Sequence, residues 1–319
     1  MADVSSAWAK YLEPILKEAI HDGYSEHADA TSEIFKIDED ASGIIRIHDS
    51  WGPSGIPTSS ENASSTELSR TKGYETVLSP QIFKGKLSVS EEYDSRGMYG
   101  SIKNEARDLG LSAITTINRF GFGIIIQALL SGYANVYGDA KNLASVGHTR
   151  PDGGTSQSNA SATGVALTET HLEVGKIALK QQVGGSGRKL AVASGDLTLM
   201  VQESQDKEAQ IITGSQLRSG TGNNDLNWYL GTINTYVNPW IGSDVSDLEG
   251  NAGNDTQWQL LAMREQRLQI TYEKRPVFKM WEDEDTDSLI TKIKFSLRPY
   301  WAGWYGSWFS LGDGAAYSL

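Results

Sequence analysis

The most regular pattern of hydrophobic and polar positions in the chain lies between residues 102 and 124. Its apolar positions recur at intervals of three and four, as on one face of an α-helix. They are Ile102, Ala106, Leu109, Ala113, Ile117, Phe120 and Ile124. Such a helix would span about 33 Å. Gly121 lies within the pattern and predicts a bend or a close approach, because glycine is a poor helix former.

The N-terminal region shows a shorter helical pattern. Trp8, Leu12, Ile15 and Leu16 fall at helical spacing, which predicts an amphipathic helix before a polar stretch at residues 21–32. This helix could dock on a neighbouring molecule or pack on its own domain. The spacing fits both arrangements equally well.

Residues 43–89 predict strands separated by a long polar segment. Apolar runs at residues 44–48 and 86–90 have strand character, and residues 51–70 are rich in Ser, Gly, Pro and Asn. We expect a long extended hairpin or flap, because the segment exceeds the usual loop length of a compact domain. The apolar positions that need a packing surface are Ile45, Ile47, Leu87 and Val89.

The second half of the chain predicts a mixed α+β region. Turn-forming residues dominate positions 138–164. Thr170 and Glu173 then form a capping box that opens a helix of about three turns. Gly184 and Gly185 mark the end of that helix.

The C-terminal region combines a strand pattern with an aromatic cluster. Ile293, Phe295 and Leu297 alternate with polar residues, which predicts a strand with one buried and one solvated face. The aromatic residues are Tyr300, Trp301, Trp304, Tyr305, Trp308 and Phe309. They could close a core, form an intersubunit contact or serve as a carbohydrate platform. We favour a combination of the first two, because the strand already has an apolar face to extend.

Composition narrows the functional classes. The chain has 319 residues, no cysteine and a formal net charge of -12. Its size suits one large or two smaller domains. The negative net charge argues against a sequence-specific nucleic-acid-binding protein. The lack of cysteine excludes disulfides and fits a reducing cytoplasm. We expect neither a signal peptide nor a transmembrane helix.

Candidate chemistry is sparse. The acidic run at residues 282–287 could ligate calcium, but it lacks the glycine and later glutamate of a calcium loop, so a solvated turn is favoured. Ser204 and Lys207 match a Ser-x-x-Lys pattern whose partner motifs are missing. The histidines form neither His-x-x-x-His nor His-Glu-x-x-His. We therefore predict no enzyme, no catalytic residue, no cofactor and no metal.

Two phrases resemble the major capsid proteins of tailed bacteriophages with the Hong Kong 97-type fold. The first is similar to a segment after the spine helix of Mu-like head subunits, and its matching residues are Gly138, Asp139, Leu143, Ser145 and His148. Ala144 and Thr149 stand where that segment has Phe and Pro. The second phrase, residues 258–262 followed by the alternating strand and residues 301–304, resembles the closing region of the family.

The resemblance implies an α+β, Hong Kong 97-like phage capsid fold. Its parts would be an N-terminal arm (1–41), an extended loop (42–95), a peripheral domain with the spine helix (96–164), an axial domain (165–277) and a return to the peripheral domain (278–319). It implies a structural virion protein that forms hexamers and pentamers of an icosahedral head around double-stranded DNA. Assembly in the host cytoplasm, with a separate scaffolding protein, a portal and a decoration protein, is expected.

The expected assembly contacts come from the arm, the extended loop and the aromatic cluster. They are Trp8, Leu12, Ile15, Ile45, Ile47, Trp51, Leu87, Val89, Trp301 and Trp304. Some relatives crosslink a loop lysine to an asparagine of the next subunit. Lys72, Lys84 and Lys86 are candidate loop lysines here, but no asparagine follows Asn254, so we expect a noncovalent lock. A tail-tube protein and an α+β hydrolase are the alternatives.

Overall fold

The computed structural model describes residues 4–90, 92, 98–130, 138–218, 225–283, 285–312 and 314, with side chains from residue 10 onward. Its helices are α1 (Val4–Glu26), α2 (Thr31–Ile34), α3 (Tyr99–Gln127), α4 (Glu169–Gln181) and α5 (Asp206–Gly214). Its strands are β1 (Lys36–Glu39), β2 (Ile45–Trp51), β3 (Thr71–Leu78), β4 (Gln81–Ser90), β5 (Leu197–Val201), β6 (Ile233–Val237), β7 (Trp258–Ala262), β8 (Leu268–Asp283), β9 (Ser288–Trp301) and β10 (Ser307–Ser310). The predicted mixture of helices and sheets is confirmed.

The first sheet contains four strands in the order β1, β8, β9, β4. β8 and β9 form a long antiparallel hairpin at its centre, β4 pairs antiparallel with β9, and β1 pairs parallel with β8. Phe83 of β4 stacks on Phe295 of β9 with ring centroids 5.0 Å apart, and it meets Phe120 of α3 edge-on at 5.3 Å. α3 therefore covers one face of this sheet.

The helix predicted from the apolar stripe is confirmed as α3. A Cβ atom at Gly121 would lie 2.6 Å from Thr31 Cγ2, and one at Gly110 would lie 2.1 Å from the Ile20 carbonyl oxygen. These glycines let α2 and α1 approach α3 closely, as predicted for Gly121. By length and hydropathy α3 could cross a membrane, but 61% of its most apolar window is buried inside the molecule, as in a core helix.

The N-terminal helix packs on its own domain. Leu12, Leu16 and Ile20 of α1 are buried in one cluster with Ile102 and Ala106 of α3. Of the two arrangements that the sequence left open, the structure therefore contains the intramolecular one.

The second sheet has the strand order β10, β7, β5, β6 and contains the other large core. Every residue of β5 and of β7 is buried, because α4 and α5 pack close to these central strands. Thr168 caps α4 by accepting a hydrogen bond from the His171 backbone N–H at 3.2 Å. The cap predicted at Thr170 is therefore wrong by two residues.

The extended segment differs from its prediction in strand pairing. β2 pairs with β3, a strand that the sequence pattern did not reveal, and together they form a separate two-stranded sheet. Residues 86–90 belong instead to β4 in the first sheet. Lys84 and Lys86 are consequently strand residues, and Lys72 alone of the three candidate lysines lies in the hairpin.

The strand predicted near the C-terminal end is confirmed as β9, but its polar face is not fully solvated. Ser296 is buried, and Lys292 and Lys294 are half-buried. The reason is the central position of β9 between β8 and β4, where side chains of both neighbours cover it.

Candidate functional site

The predicted assembly contacts fall into two groups by exposure. Ile15, Trp51 and Leu87 are half-buried and keep part of their surface. The others with described side chains are buried within the subunit: Leu12, Ile45, Ile47, Val89, Trp301 and Trp304. The side chain of Trp8 lies outside the described residues. The contact role stays a prediction, and the buried residues could serve it only indirectly, by positioning the arm, hairpin or strand that carries them.

The β2–β3 sheet is fastened to its own subunit along the whole of β2. At the start of β2, Ile45 and Ile47 pack with Tyr300 in a small cluster. At its end, Trp51 meets Tyr305 edge-on with ring centroids 4.9 Å apart, and the Trp51 indole Nε1 donates a hydrogen bond to Asp49 Oδ2 at 2.6 Å. These contacts fix the point at which residues 52–70 leave the subunit.

Two glycines form the slot that receives the Trp51 ring. A Cβ atom at Gly184 would lie 2.2 Å from Trp51 Cζ3, and one at Gly185 would lie 2.5 Å from Trp51 Nε1. The Gly-Gly pair was predicted only as a helix end. It also permits the close approach between this turn and the hairpin.

The segment between β2 and β3 is exposed throughout residues 52–70. Ile56 is 86% exposed and Leu68 is 40% exposed, although both are apolar. Single exposed apolar residues are common on protein surfaces, but here they lie on a long segment in which every residue is exposed. This segment is a candidate surface for contact with another molecule.

A buried polar cluster joins the turn after α3 to the C-terminal aromatic region. His148 Nδ1 lies 2.6 Å from Asp139 Oδ2, and its Nε2 lies 3.1 Å from Asn159 Oδ1. Both ring nitrogens of His148 therefore have an oxygen partner inside the subunit. The His148 ring also stacks on Trp304 with centroids 4.7 Å apart. These residues include the matched positions Asp139 and His148 of the capsid-like phrase.

Asn159 is the centre of this cluster, and sequence reasoning missed it. Its side chain donates hydrogen bonds to the carbonyl oxygens of Leu143 at 2.6 Å and Trp304 at 3.1 Å, and it accepts one from the Ser145 N–H at 2.8 Å. An asparagine in a Ser/Asn-rich stretch gives no local signal. The cluster is fully buried, so its role is to hold three segments together.

The aromatic cluster closes the core, as one of the predicted alternatives stated. Trp301, Trp304, Tyr305 and Phe309 are buried in the largest hydrophobic cluster, and Trp308 is buried in the core of the second sheet. The intersubunit alternative has little exposed aromatic surface to use here, since these rings face the interior.

Titratable groups show burial effects and no cluster suited to chemistry. Burial raises the pKa of Tyr236 to about 12, and Glu33 and Asp29 add to the effect. Among the described residues, no group of three or more His, Asp or Glu side chains could hold a metal ion. Ser204 Oγ donates a hydrogen bond to the Asp255 carbonyl oxygen at 2.8 Å, so the hydroxyl of the Ser-x-x-Lys pattern has a structural partner.

A family model described as phage capsid protein matches residues 73–306, which is most of the chain. This chain belongs to the phage capsid protein family. The match includes β3 from Gly73 onward, all of α3 and most of both four-stranded sheets. No curated protein matches the sequence.

Solved capsids share the fold of this family member. It superposes on the capsid of Ralstonia phage GP4 with a TM-score of 0.56 and 10% identity, covering 86% of this chain and 84% of that one. For the virus-like particle from Pyrococcus furiosus the TM-score is 0.53 at 10% identity, covering 94% and 99%. For the mature capsid of bacteriophage PhiM1 it is 0.51 at 11% identity, covering 88% and 85%. At identities this low, the superpositions show a shared fold. The predicted Hong Kong 97-type capsid fold is thereby confirmed.

Proposed function

We propose that this capsid-family protein is the major shell subunit of a phage head. Copies would form hexamers and pentamers that build an icosahedral shell around double-stranded DNA. The observation that carries the proposal is the family match over residues 73–306. The superposition over nearly the whole length of a particle-forming chain supports it.

We assign the parts of the chain as the resemblance implies. The arm comprises residues 1–41, the extended loop 42–95, the peripheral domain 96–164 with 278–319, and the axial domain 165–277. The two separate four-stranded sheets support a division into two parts, but they do not follow these bounds: β8 crosses the boundary at residues 277 and 278, and β10 belongs to the second sheet. The exposed segment at residues 52–70 supports an extended loop that overlaps a neighbouring subunit.

Assembly in the host cytoplasm would use a separate scaffolding protein, a portal and a decoration protein. The lock between subunits would be noncovalent, since the lysine–asparagine pair of some relatives is incomplete in this sequence. With a net charge of -12 on each copy, the long-range repulsion between subunits falls as salt screens it. We therefore expect assembly to respond to ionic strength.

The test is to express the chain alone and with the scaffolding protein of its own phage. Light scattering and negative-stain microscopy should reveal closed shells or capsomers, and the yield should change with salt concentration. Tubes or stacked rings would favour a tail protein instead. A chain that stays monomeric in size-exclusion chromatography under all of these conditions would refute the proposal and leave the hydrolase alternative.

A further inference from the structure

The face of the first sheet opposite α3 carries two rows of lysines. In one row, Lys84 of β4 lies directly opposite Lys294 of β9. In the next row, Lys292 of β9 lies opposite Lys86 on one side and Lys279 of β8 on the other. Residues directly opposite each other in neighbouring strands point to the same side of a sheet. We call these five lysines the lysine face.

The lysine face destabilises the isolated subunit. Like charges directly opposite in adjacent strands destabilise a sheet, and neighbouring strands of a sheet lie about 5 Å apart. Lys84, Lys86 and Lys279 are exposed. Among the described residues, none of the five lysines forms a salt bridge with a carboxylate, while other lysines such as Lys17 do. A concentrated positive patch on a chain with a net charge of -12 suits an acidic partner.

The same sheet carries the complementary charge at the end of its central hairpin. The end of β8 and the turn that follows it carry Glu282, Asp283, Asp285 and Asp287. We call these four residues the acidic turn; Glu284 lies outside the described residues. Asp285 and Asp287 are exposed, and no salt bridge involves the carboxylates of this turn among the described residues.

The acidic turn cannot neutralise the lysine face of its own subunit. Asp283 pairs with Ser288, and Ser288 pairs with Ser90, which lies four positions along β4 from Lys86. Four residues of an extended strand span about 14 Å. At this backbone separation no salt bridge joins the two surfaces within the described part of the subunit, so each remains available to another copy.

The shape of the patch favours a compact acidic segment over nucleic acid. The lysines occupy two rows and three strands, an area of roughly 7 by 10 Å. Proteins that bind a duplex usually present such cations on a basic domain, whereas this chain has a net charge of -12. Carboxylates also bound the patch, with Asp283 at one end and Glu273, hydrogen-bonded to Ser296 at 2.6 Å, at the other. A phosphate backbone that ran along the sheet would meet both.

We propose that the lysine face of one subunit binds the acidic turn of a neighbouring copy of this chain. The contact joins two different surfaces, so it is a head-to-tail contact of the kind that forms rings or extended lattices. The inference rests on the proposed function, because it presupposes that copies assemble.

The test is a charge reversal with rescue. A Lys86→Glu/Lys279→Glu variant should raise the concentration needed for assembly at low salt by about tenfold or more, as loss of close charge pairs does in other interfaces. A Glu282→Lys/Asp285→Lys variant should do the same. The chain that carries all four substitutions should recover most of the lost assembly, since both surfaces are then reversed together.

The matched control is Lys103→Glu/Lys207→Glu, which makes the same change in net charge on exposed positions of α3 and α5. It should assemble within about twofold of the wild type. Thermal melting distinguishes unfolding from lost contacts, because reversing two lysines of the face relieves repulsion and should not lower the melting temperature of the free subunit.

The outcomes separate the inference from the proposed function. A wild-type chain that never assembles refutes the proposed function and this contact with it. Wild-type shells with unaffected reversal variants, or with no rescue in the fourfold variant, overturn the contact alone. The proposed contact is also overturned if the reversal variants assemble normally but no longer shift a DNA duplex that the wild type shifts in a gel-shift assay. That result would assign the lysine face to nucleic acid.

Discussion

Replacing Asn159 by alanine tests the buried cluster that joins the turn after α3 to the aromatic region. The Asn159→Ala change removes three hydrogen bonds to backbone groups, those with Leu143, Ser145 and Trp304. Each is worth about 1 kcal/mol net. For the Ser145 N–H the cost is instead about 1 to 3 kcal/mol, because this buried donor is left without its acceptor. The Trp304 carbonyl keeps a partner in the Ser307 hydroxyl at 2.8 Å.

We therefore expect Asn159→Ala to lower the free energy of unfolding by about 3 to 5 kcal/mol. Urea denaturation of the unassembled subunit, followed by tryptophan fluorescence and by circular dichroism, measures this change. Asn104→Ala is the matched control, because Asn104 is exposed on α3 and its loss should change stability by no more than about 0.5 kcal/mol. A loss below about 1 kcal/mol for Asn159→Ala would refute the view that this cluster holds the three segments together.

Three further substitutions test other features. Gly184→Ala should expel the Trp51 ring, since the new Cβ would lie 2.2 Å from it, and limited proteolysis should then cut residues 52–70 several times faster. Ala140→Gly should stabilise the subunit by about 1 kcal/mol in urea denaturation, because Ala140 has a φ of 59° that favours glycine. Burial raises the pKa of Tyr236 to about 12, so the folded state favours the protonated phenol. This preference contributes stability below pH 10, and the contribution is lost as the pH rises towards 12. Tyr236→Phe should therefore reduce the loss of stability between pH 10 and pH 12.

Each of these three has a control that the structure supplies. Gly195→Ala meets no atom within 4 Å and should leave proteolysis unchanged. Ala193→Gly, at a φ of -76°, should give no stabilisation, and an equal gain at both alanines would contradict the strain argument. Tyr11→Phe alters an exposed ring and should keep the alkaline decline. If the Tyr236→Phe variant loses as much stability at high pH as the wild type, groups other than Tyr236 cause that loss.

The sequence predicted those helices and strands whose apolar residues recur at a regular interval along the chain. The stripe along α3 repeats over many turns, so its period identified the helix and its buried face. The alternation of Ile293, Phe295 and Leu297 identified β9 for the same reason. The N-terminal helix was equally visible, but its spacing could not say whether Leu12 would pack on its own subunit or on another.

Long-range pairing left no comparable signal. β3 was missed because its residues show no clean alternation, and the strand Gln81–Ser90 was paired with the wrong neighbour. Asn159 could not be found, because its partners Leu143 and Trp304 lie far away in sequence. The lysine face was likewise hidden, since lysines at alternate positions look like an ordinary solvated strand face until the registers of three strands are known.

The bond between Asn159 and Trp304 spans 145 positions of the chain, and it has a consequence for synthesis. β10, which pairs with β7 to complete the second sheet, is made after every other strand of that sheet. A nascent chain on the ribosome therefore cannot close either feature until residue 310 has emerged, and contacts of such long sequence separation form slowly. A nascent chain that stops before β10 thus lacks both the Asn159–Trp304 bond and one edge strand of the second sheet.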